Sequence, residues 1–200
     1  MVAEKDARVI RAVSFIVMLA VLGCAGRTPQ EPFEVQTLGG KSLWIPSARN
    51  STDGDLRLPG TNPLRSLGEI AGKVSPDYRP TVMDLLRASI KREMERRKVQ
   101  ARFPEEHDAR LSVLPLGTEA ATRIAREGGL DGSLLLSEIR RWEADTVGLL
   151  RLWVEFKLVR IADGALLWER RVQKVFPAGR SGNLAEVHDD AVREITNELF

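Results

Sequence analysis

Alternation of apolar and polar residues marks the most regular strand of the chain. Apolar and polar side chains alternate over 150–158, which is the period of a strand with one buried face. Asp163-Gly164 follows and predicts a two-residue hairpin turn, because such a turn requires positive φ angles. A return strand over 165–176 and an earlier strand over 133–142 complete a predicted antiparallel meander of three strands.

Three further segments carry the apolar spacing of amphipathic helices. Within 81–98, an apolar side chain recurs every four positions, which places these side chains on one helix face. The segment 118–127 carries a shorter stripe that ends at a glycine pair, and 183–199 carries a longer one. The apolar positions of the first helix are Val82, Leu86, Ile90 and Met94.

The order of the predicted elements defines the fold class. Short strands at 43–47 and 99–103 flank the first helix, and 49–54 predicts a turn. The order strand, helix, strand, helix, three strands, helix predicts a single α+β domain. We expect a mixed sheet of about four or five strands, with a C-terminal antiparallel meander and helices packed on the sheet.

The strand at 133–142 changes character along its length. It begins with the apolar run 134–136 and continues with mixed polarity. A strand that is buried on both faces is apolar throughout, whereas mixed polarity indicates exposure. The pattern therefore predicts a strand that leaves the buried centre of the sheet towards an exposed edge.

A long irregular segment, 50–79, lies between the first strand and the first helix. It is rich in proline and glycine, yet it also carries leucines, among them Leu56 and Leu58. Loops of this length inside a compact domain are usually functional or disordered. Two interpretations remain open: the leucines pack back on the domain, or they form a surface for a partner.

The apolar N-terminal segment ends at the single cysteine of the chain, Cys24. The uncharged run before it is too short for a membrane-spanning helix and fits the apolar region of a secretory signal. Residues 20–24 read Ala-Val-Leu-Gly-Cys and resemble the lipobox of bacterial lipoproteins. This resemblance implies a signal peptide over 1–23, cleavage between Gly23 and Cys24, and lipid attachment to the Cys24 thiol. An ordinary signal peptide and a short membrane anchor are the alternatives.

A lipid anchor would define where the protein lies. Lipoproteins of this kind carry two or three acyl chains, such as palmitate, and each buried methylene stabilises attachment by about 0.8 kcal/mol. Ala25 follows the cysteine and favours the outer membrane, because aspartate at this position signals inner-membrane retention in enterobacterial lipoproteins. The segment 24–42 contains prolines and glycines and predicts a flexible tether. The domain would then span 43–200 and lie in the periplasm.

Composition and residue inventory argue against several functions. The formal net charge of +2 gives no electrostatic reason to expect nucleic acid as a partner. One cysteine cannot form an internal disulfide, so the hydrophobic core must stabilise the fold. His107 and His188 are the only imidazole bases, and no nucleophile motif accompanies them. The loop 105–108 offers either a weak metal site or a solvated acidic surface, and adjacent residues of one loop rarely give the closed geometry of a metal site. We predict no enzymatic activity, metal or cofactor.

Several segments resemble one group of bacterial envelope lipoproteins. Residues 129–134 match a G-x-D-x-x-L entry from helix to strand, and 159–168 resemble a hairpin motif written L-V-D-x-x-T-G-x-x-L-W. With 43–52 and the helix 81–98, they are similar to curli-secretion-type lipoproteins and to lipoprotein activators of penicillin-binding proteins, whose domains are similar to the N-terminal domain of TolB. The last three elements also resemble, more weakly, the lipoprotein that assists lipopolysaccharide insertion.

The resemblance implies a non-enzymatic accessory or adaptor subunit of an envelope assembly or transport machine, with an envelope protein as its partner. A self-oligomerising secretion subunit and a lipid- or glycan-binding lipoprotein are the alternatives. The arginines of the first helix form either a binding face or a solvated face favoured by the helix dipole. Trp153 either packs beneath a helix or contacts a ligand. The candidate interaction residues are Asn50, Leu56, Leu58, Arg92, Arg96 and Trp153.

Overall fold

The computed structural model describes residues 33–38, 41–54, 56, 81–113, 115, 117–144, 149–177 and 184–200. The predicted signal peptide, Cys24, Leu58 and most of the 50–79 loop lie outside the described residues. Within the described part of the chain, no helix combines the length and the apolar composition needed to cross a membrane.

Apart from a short 3-10 helix, the described elements follow the predicted order with two additions. A short 3-10 helix, Val35–Leu38, comes first. The helices are α1 (Val82–Arg96), α2 (Asp108–Val113), α3 (Thr118–Glu127) and α4 (Leu184–Leu199). The strands are β1 (Leu43–Trp44), β2 (Arg49–Asn50), β3 (Ala101–Arg102), β4 (Ser133–Ala144), β5 (Leu149–Arg160) and β6 (Leu166–Pro177). The additions are β2 and α2.

One mixed sheet organises the domain. Its strands lie in the order β3-β1-β4-β5-β6, and β2 pairs with β4 beyond the end of β1. The pairs of β1 with β3 and β4 are parallel, whereas β4, β5 and β6 form an antiparallel meander. The predicted α+β class, the single mixed sheet and the C-terminal meander are confirmed.

The predicted turn at 49–54 is shorter than expected. Arg49 and Asn50 form a strand that pairs in parallel with Glu138 and Ile139 of β4. The Ser51 amide extends this pairing, because it donates to the Ile139 carbonyl at 2.9 Å. A strand of two residues has no periodicity of its own, so only its long-range partner determines it.

Helices α1 and α4 cover one face of the sheet. This layer contains the main core, with Phe156 of β5 as its largest fully buried side chain. Thr81 caps α1, because its hydroxyl accepts from the Asp84 amide at 3.2 Å while the Asp84 carboxylate accepts from the Thr81 amide at 2.9 Å. The buried helix residues are Val82, Leu86, Ile90 and Met94 of α1 and Val187, Ala191, Val192, Ile195 and Leu199 of α4.

Helices α2 and α3 cover part of the opposite face. Their buried residues pack against the first half of β4 and the last half of β5. Asp108 fixes α2 through tertiary contacts: its Oδ1 accepts from the Ser47 amide at 2.7 Å, and its Oδ2 pairs with Arg87 Nη1 at 2.7 Å. The side chains of this second core are Leu111, Ala121, Ile124, Ala125, Leu134, Leu136, Val159 and Ile161.

The prediction that 133–142 leaves the buried sheet centre towards an exposed edge agrees with the described residues. Residues 133–139 are buried, and over this part β4 pairs with β5 on one side and with β1 and β2 on the other. Beyond Ile139 the described pairing of β4 is with β5 alone, and Arg140, Arg141 and Glu143 are exposed whereas Trp142 is buried. The mixed polarity also includes Glu138, which is buried in an ion-pair network with Arg140.

The compact unit begins before residue 43. Phe33 and Leu38, which fall within the predicted tether, are buried in the main core. The Phe33 amide donates to the Leu199 carbonyl at 2.9 Å. The Phe33 ring meets the rings of Trp168 and Phe200 edge to face, with centroid distances of 5.6 and 5.4 Å. A tether from Cys24 would therefore be shorter than predicted.

Candidate functional site

The second half of the meander presents a polar face that α2 and α3 do not reach. We call it the open face and define it by Arg141, Arg151, Trp153, Gln173 and Val175. All of these side chains are exposed except that of Trp153, which is half-buried. Together they line a hollow of about 380 Å³ on the sheet.

The strand register places Trp153 at the centre of the open face. It lies directly opposite Arg141 on β4 and Gln173 on β6. Arg151 lies one step further along and is opposite Val175. Side chains opposite each other in a sheet share a face, so Arg141 and Gln173 flank Trp153 on this face. Val175 adds an apolar side chain that is 56% exposed.

A charged network borders the open face. Glu138 and Glu155 lie directly opposite each other on β4 and β5, and both are buried. Arg140 bridges them, with its guanidinium 2.9 Å from Glu138 and 3.4 Å from Glu155. Arg171 approaches Glu155 at 3.4 Å, and the Ser51 hydroxyl donates to Glu138. The bridge holds two like charges together, and we infer that it keeps this end of the sheet rigid.

The Trp153 indole nitrogen is buried and has no hydrogen-bond partner. An indole N–H usually finds a partner when it is buried. Trp153 therefore differs from a core tryptophan whose N–H is hydrogen-bonded and from a surface tryptophan whose N–H is solvated. Because this nitrogen is buried, only the exposed part of the ring is available to another molecule.

A second concave region lies between α1 and α4. The groove has a volume of about 610 Å³ and runs above the contact between the Thr196 hydroxyl and the Ser89 hydroxyl, which are 3.0 Å apart. It contains two of the predicted interaction residues, Arg92 and Arg96. Its lining residues are Ser89, Arg92, Glu95, Arg96, Asp189, Val192 and Arg193.

The structure separates the predicted interaction residues. Arg92 and Arg96 lie together in the α1–α4 groove, on the side of the sheet opposite Trp153. Asn50 is exposed and forms a local turn, because its side-chain oxygen accepts from the Thr52 amide at 2.9 Å. Leu56 is only 5% exposed, and its carbonyl accepts from the first amide of α1. This burial removes Leu56 from the candidate surface, and Leu58 lies outside the described residues.

The two histidines occupy different surroundings. His188 on α4 stacks on Trp142 with a centroid distance of 5.9 Å, and its Nδ1 accepts from the indole N–H at 2.8 Å. Burial lowers the pKa of His188 below its usual 6.5. His107 lies at the entrance to α2 and contacts Gly128 closely. Within the ranges that the structure describes, no group of three or more acidic, histidine or cysteine side chains is arranged to hold a metal ion.

Sequence reasoning missed the Glu138–Arg140–Glu155 network and the Trp142–His188 contact. The mixed polarity of β4 was a signal for the network, since a charge in a central strand needs a partner. No local pattern connects Trp142 with His188, because 46 positions separate them.

Comparisons with known proteins find distant structural relatives. No protein-family model and no curated protein sequence matches the chain. The PelC dodecamer from Paraburkholderia phytofirmans is 16% identical, with a TM-score of 0.48 over 85% of this chain and 94% of that one. The lipoprotein GNA1162 from Neisseria meningitidis is 12% identical, with a TM-score of 0.38 over 78% and 98%.

The C-terminal domain of LpoB from Salmonella enterica is 18% identical, with a TM-score of 0.29 over 68% of this chain and 82% of that one. Of these three neighbours, GNA1162 is named a lipoprotein. The dodecameric assembly belongs to PelC itself.

Proposed function

We propose that this protein is a non-enzymatic accessory or adaptor subunit of a cell-envelope assembly or transport machine, anchored to the outer membrane by lipid on Cys24. We further propose that it docks an envelope protein on the open face. The observation that carries this proposal is the position of Trp153, half-buried between Arg141 and Gln173 beside the exposed Val175. Tryptophan and arginine dominate the binding energy of protein interfaces.

The open face supports docking better than the basic residues of α1 do. Arg96 pairs with Glu93, Arg97 pairs with Glu93 at 2.8 Å, and Lys91 lies 3.7 Å from Glu95. Three basic residues of this region are therefore engaged with acidic residues of the same helix, and Arg96 and Arg97 share the Glu93 carboxylate. The open face instead offers an aromatic centre with a polar rim, which is the usual anatomy of an interface.

The rigid border favours a docking role. The Arg140 bridge holds β4 and β5 together beside Trp153. A preorganised surface loses little conformational entropy when it binds. Paired strands also place the side chains more exactly than a loop would.

A glycan-binding role is the second candidate, and one observation favours it. The exposed part of the Trp153 indole provides a flat apolar surface, and the polar residues Arg141 and Gln173 lie opposite it on the neighbouring strands. A sugar ring presents matching apolar faces and hydroxyl groups. Both candidates use the open face, so the same variants affect both, and the identity of the bound molecule separates them.

The test starts from the full-length protein, extracted from envelopes in mild detergent. Native mass and the identity of co-purifying proteins are measured for the wild type and for Val175→Arg. A charged side chain in place of the exposed apolar residue of the docking surface should remove the partner. Leu166→Arg is the matched control, because Leu166 lies at the other end of β6 and is 49% exposed. It should keep the partner.

Three outcomes decide between the candidates. A discrete complex with a different envelope protein that Val175→Arg loses and Leu166→Arg keeps would support docking on the open face. Co-purification of a glycan with the same dependence would favour the second candidate. A complex that survives both Val175→Arg and Trp153→Ala would contradict any role of the open face, provided that the variants unfold cooperatively.

A further inference from the structure

The groove between α1 and α4 carries two charges for which the described part of the chain supplies no partner. Among its other charged residues, Arg96 pairs with Glu93, Arg193 lies 3.4 Å from Asp190, and Glu95 lies 3.7 Å from Lys91. Arg92 of α1 and Asp189 of α4 are both exposed. Neither makes an ion pair or a side-chain hydrogen bond within the described structure. The groove thus presents one unpaired cation on one wall and one unpaired anion on the other.

We propose that a second copy of this chain docks in this groove, with Arg92 of each copy paired to Asp189 of the other. A two-fold contact brings residue i against residue j and residue j against residue i. Two copies of a surface with one free cation and one free anion can satisfy this condition, because the cation of each copy faces the anion of the other. The two-fold axis would lie in the plane of the surface and cross the line between Arg92 and Asp189 at its midpoint. This arrangement forms both Arg92–Asp189 pairs of the dimer at once.

Other occupants satisfy the groove less well. A phosphate, an anionic lipid headgroup or an acidic polymer would pair with Arg92 but would meet Glu95 and Asp189 in the same groove. A cationic ligand would meet Arg92 and the two further arginines of the lining. Like charges that face each other oppose binding. An occupant that carries both signs satisfies both walls, and a second copy of the chain carries both.

The dimer contact is independent of the proposed docking function. The groove and the open face lie on opposite sides of the sheet. A dimer formed through α1 and α4 leaves Trp153 and Val175 of both copies accessible. Failure of the dimer would therefore leave the adaptor proposal unchanged, and loss of the adaptor partner would leave the dimer unchanged.

Charge reversal tests the contact. Full-length protein in mild detergent is examined by sedimentation equilibrium at about 10–100 µM, a range that detects a contact of micromolar affinity. We expect a wild-type mass of two chains. In a dimer of Arg92→Glu, an acidic side chain faces another acidic side chain at both contacts. In a dimer of Asp189→Arg, a basic side chain faces another basic side chain at both contacts. Each variant should weaken self-association about tenfold or more, since each unfavourable contact costs on the order of 1 kcal/mol.

Mixing the two variants provides the decisive measurement. In a heterodimer of Arg92→Glu with Asp189→Arg, the glutamate at position 92 of the first copy meets the arginine at position 189 of the second. The other contact is the original pair, between Asp189 of the first copy and Arg92 of the second. Two variants that are each monomeric should therefore form a dimer when they are combined in equal amounts. Arg123→Glu on α3 is the matched control, because Arg123 is also exposed but lies outside the groove. It should keep the wild-type mass.

Several results would overturn the proposal. A monomeric wild type at the highest concentration would do so, as would an assembly of more than two chains, because an isologous contact closes at two. Retention of the dimer by either single variant would exclude the Arg92–Asp189 pairing. Failure of the mixed variants to associate, while each retains cooperative unfolding, would show that the loss in the single variants was not electrostatic.

Discussion

Trp142 on β4 and His188 on α4 form a stacked, hydrogen-bonded pair. The indole N–H donates to His188 Nδ1 at 2.8 Å, and the ring planes differ by 15°. The bond requires an unprotonated Nδ1, and the stacked geometry leaves the imidazole half-buried. The start of α4 is therefore attached to the end of β4 by a contact that depends on the neutral form of a histidine.

We predict that this contact makes stability sensitive to mild acid. Burial lowers the pKa of His188 in the fold, so the unfolded chain takes up a proton at a higher pH than the folded chain does. The contribution to the free energy of unfolding is complete above about pH 6.5 and declines as the pH falls towards the folded pKa. Thermal unfolding at about pH 7.5 and pH 5.5 should show a lower melting temperature at the acidic value.

His188→Gln should reduce this pH dependence, because glutamine does not titrate. His107→Gln is the matched control and should retain the full dependence, since His107 is the only other histidine. An identical pH dependence in wild type and His188→Gln would show that other groups cause the effect.

The Arg140 bridge predicts unequal effects of two neighbouring arginines. Arg140→Met leaves the buried carboxylates of Glu138 and Glu155 opposite each other without a shared cation. Removing one partner of a fully buried pair costs about 3–5 kcal/mol. Arg140 itself is 42% exposed, so water offsets part of this loss. We expect a decrease in the free energy of unfolding of about 2 kcal/mol, measured by urea denaturation at neutral pH.

Arg141→Met is the control for this prediction. Arg141 pairs at 2.9 Å with Glu143, and both side chains are largely exposed. Such pairs contribute about 0–1 kcal/mol. If the two substitutions destabilise the protein equally, the buried carboxylates do not depend on Arg140.

Two glycines with positive φ should respond differently to alanine. Gly132 has a φ of 86°, and an added Cβ would overlap the carbonyl oxygen of Ser42. That carbonyl accepts from the Ser133 amide at 3.0 Å, at the start of the β1–β4 pairing. Gly132→Ala must therefore displace β1, and we expect a loss of at least about 3 kcal/mol or failure to fold.

Gly129→Ala is the matched control. Gly129 has a φ of 68°, and an added Cβ would meet no atom within 4 Å. Only the backbone conformation opposes the change, which costs about 1–2 kcal/mol. Urea denaturation of both variants measures the difference, and equal losses would show that the Ser42 carbonyl moves at little cost.

Membrane attachment depends on one thiol in the lipoprotein interpretation. Cys24→Ala should release the protein from membranes into the soluble fraction, because about 0.8 kcal/mol of attachment is lost for every buried methylene. Ala25→Ser is the matched control, since it changes the adjacent residue and keeps the thiol. Fractionation with immunodetection measures both. Tight membrane association of Cys24→Ala would exclude the lipid anchor.

The elements that local patterns could predict are those with one strongly buried face. The alternation over 150–158 indicates β5 (Leu149–Arg160), because alternate side chains enter the core. The hairpin between β5 and β6 is confirmed, but the two-residue turn at Asp163-Gly164 is wrong. The Arg160 amide donates to the Ala165 carbonyl at 2.9 Å, so the loop contains four residues, 161–164, of which only Gly164 has a positive φ, of 76°. The helix predicted over 118–127 matches α3, which ends at a glycine pair.

The missed features depend on residues that are distant in sequence. β2 exists because Arg49 and Asn50 meet β4, and α2 is held by Asp108 through contacts with Arg87 and Ser47. The α1–α4 groove likewise requires two helices from opposite ends of the domain. Asp189 carries no local signal, since an acidic residue near a helix start has an ordinary electrostatic explanation.

The attachment of Phe33 to the end of α4 has a mechanical consequence. The Phe33 amide bonds to the Leu199 carbonyl, and the Phe33 ring packs on Phe200 and Trp168. A force applied to the chain before Phe33 would therefore be transmitted through these contacts to the last turn of α4 and to β6. A pulling force on the N-terminal side would have to break this hydrogen bond and these ring contacts before it could separate the strands of the sheet. The domain is therefore reinforced at the point where a membrane tether would apply force.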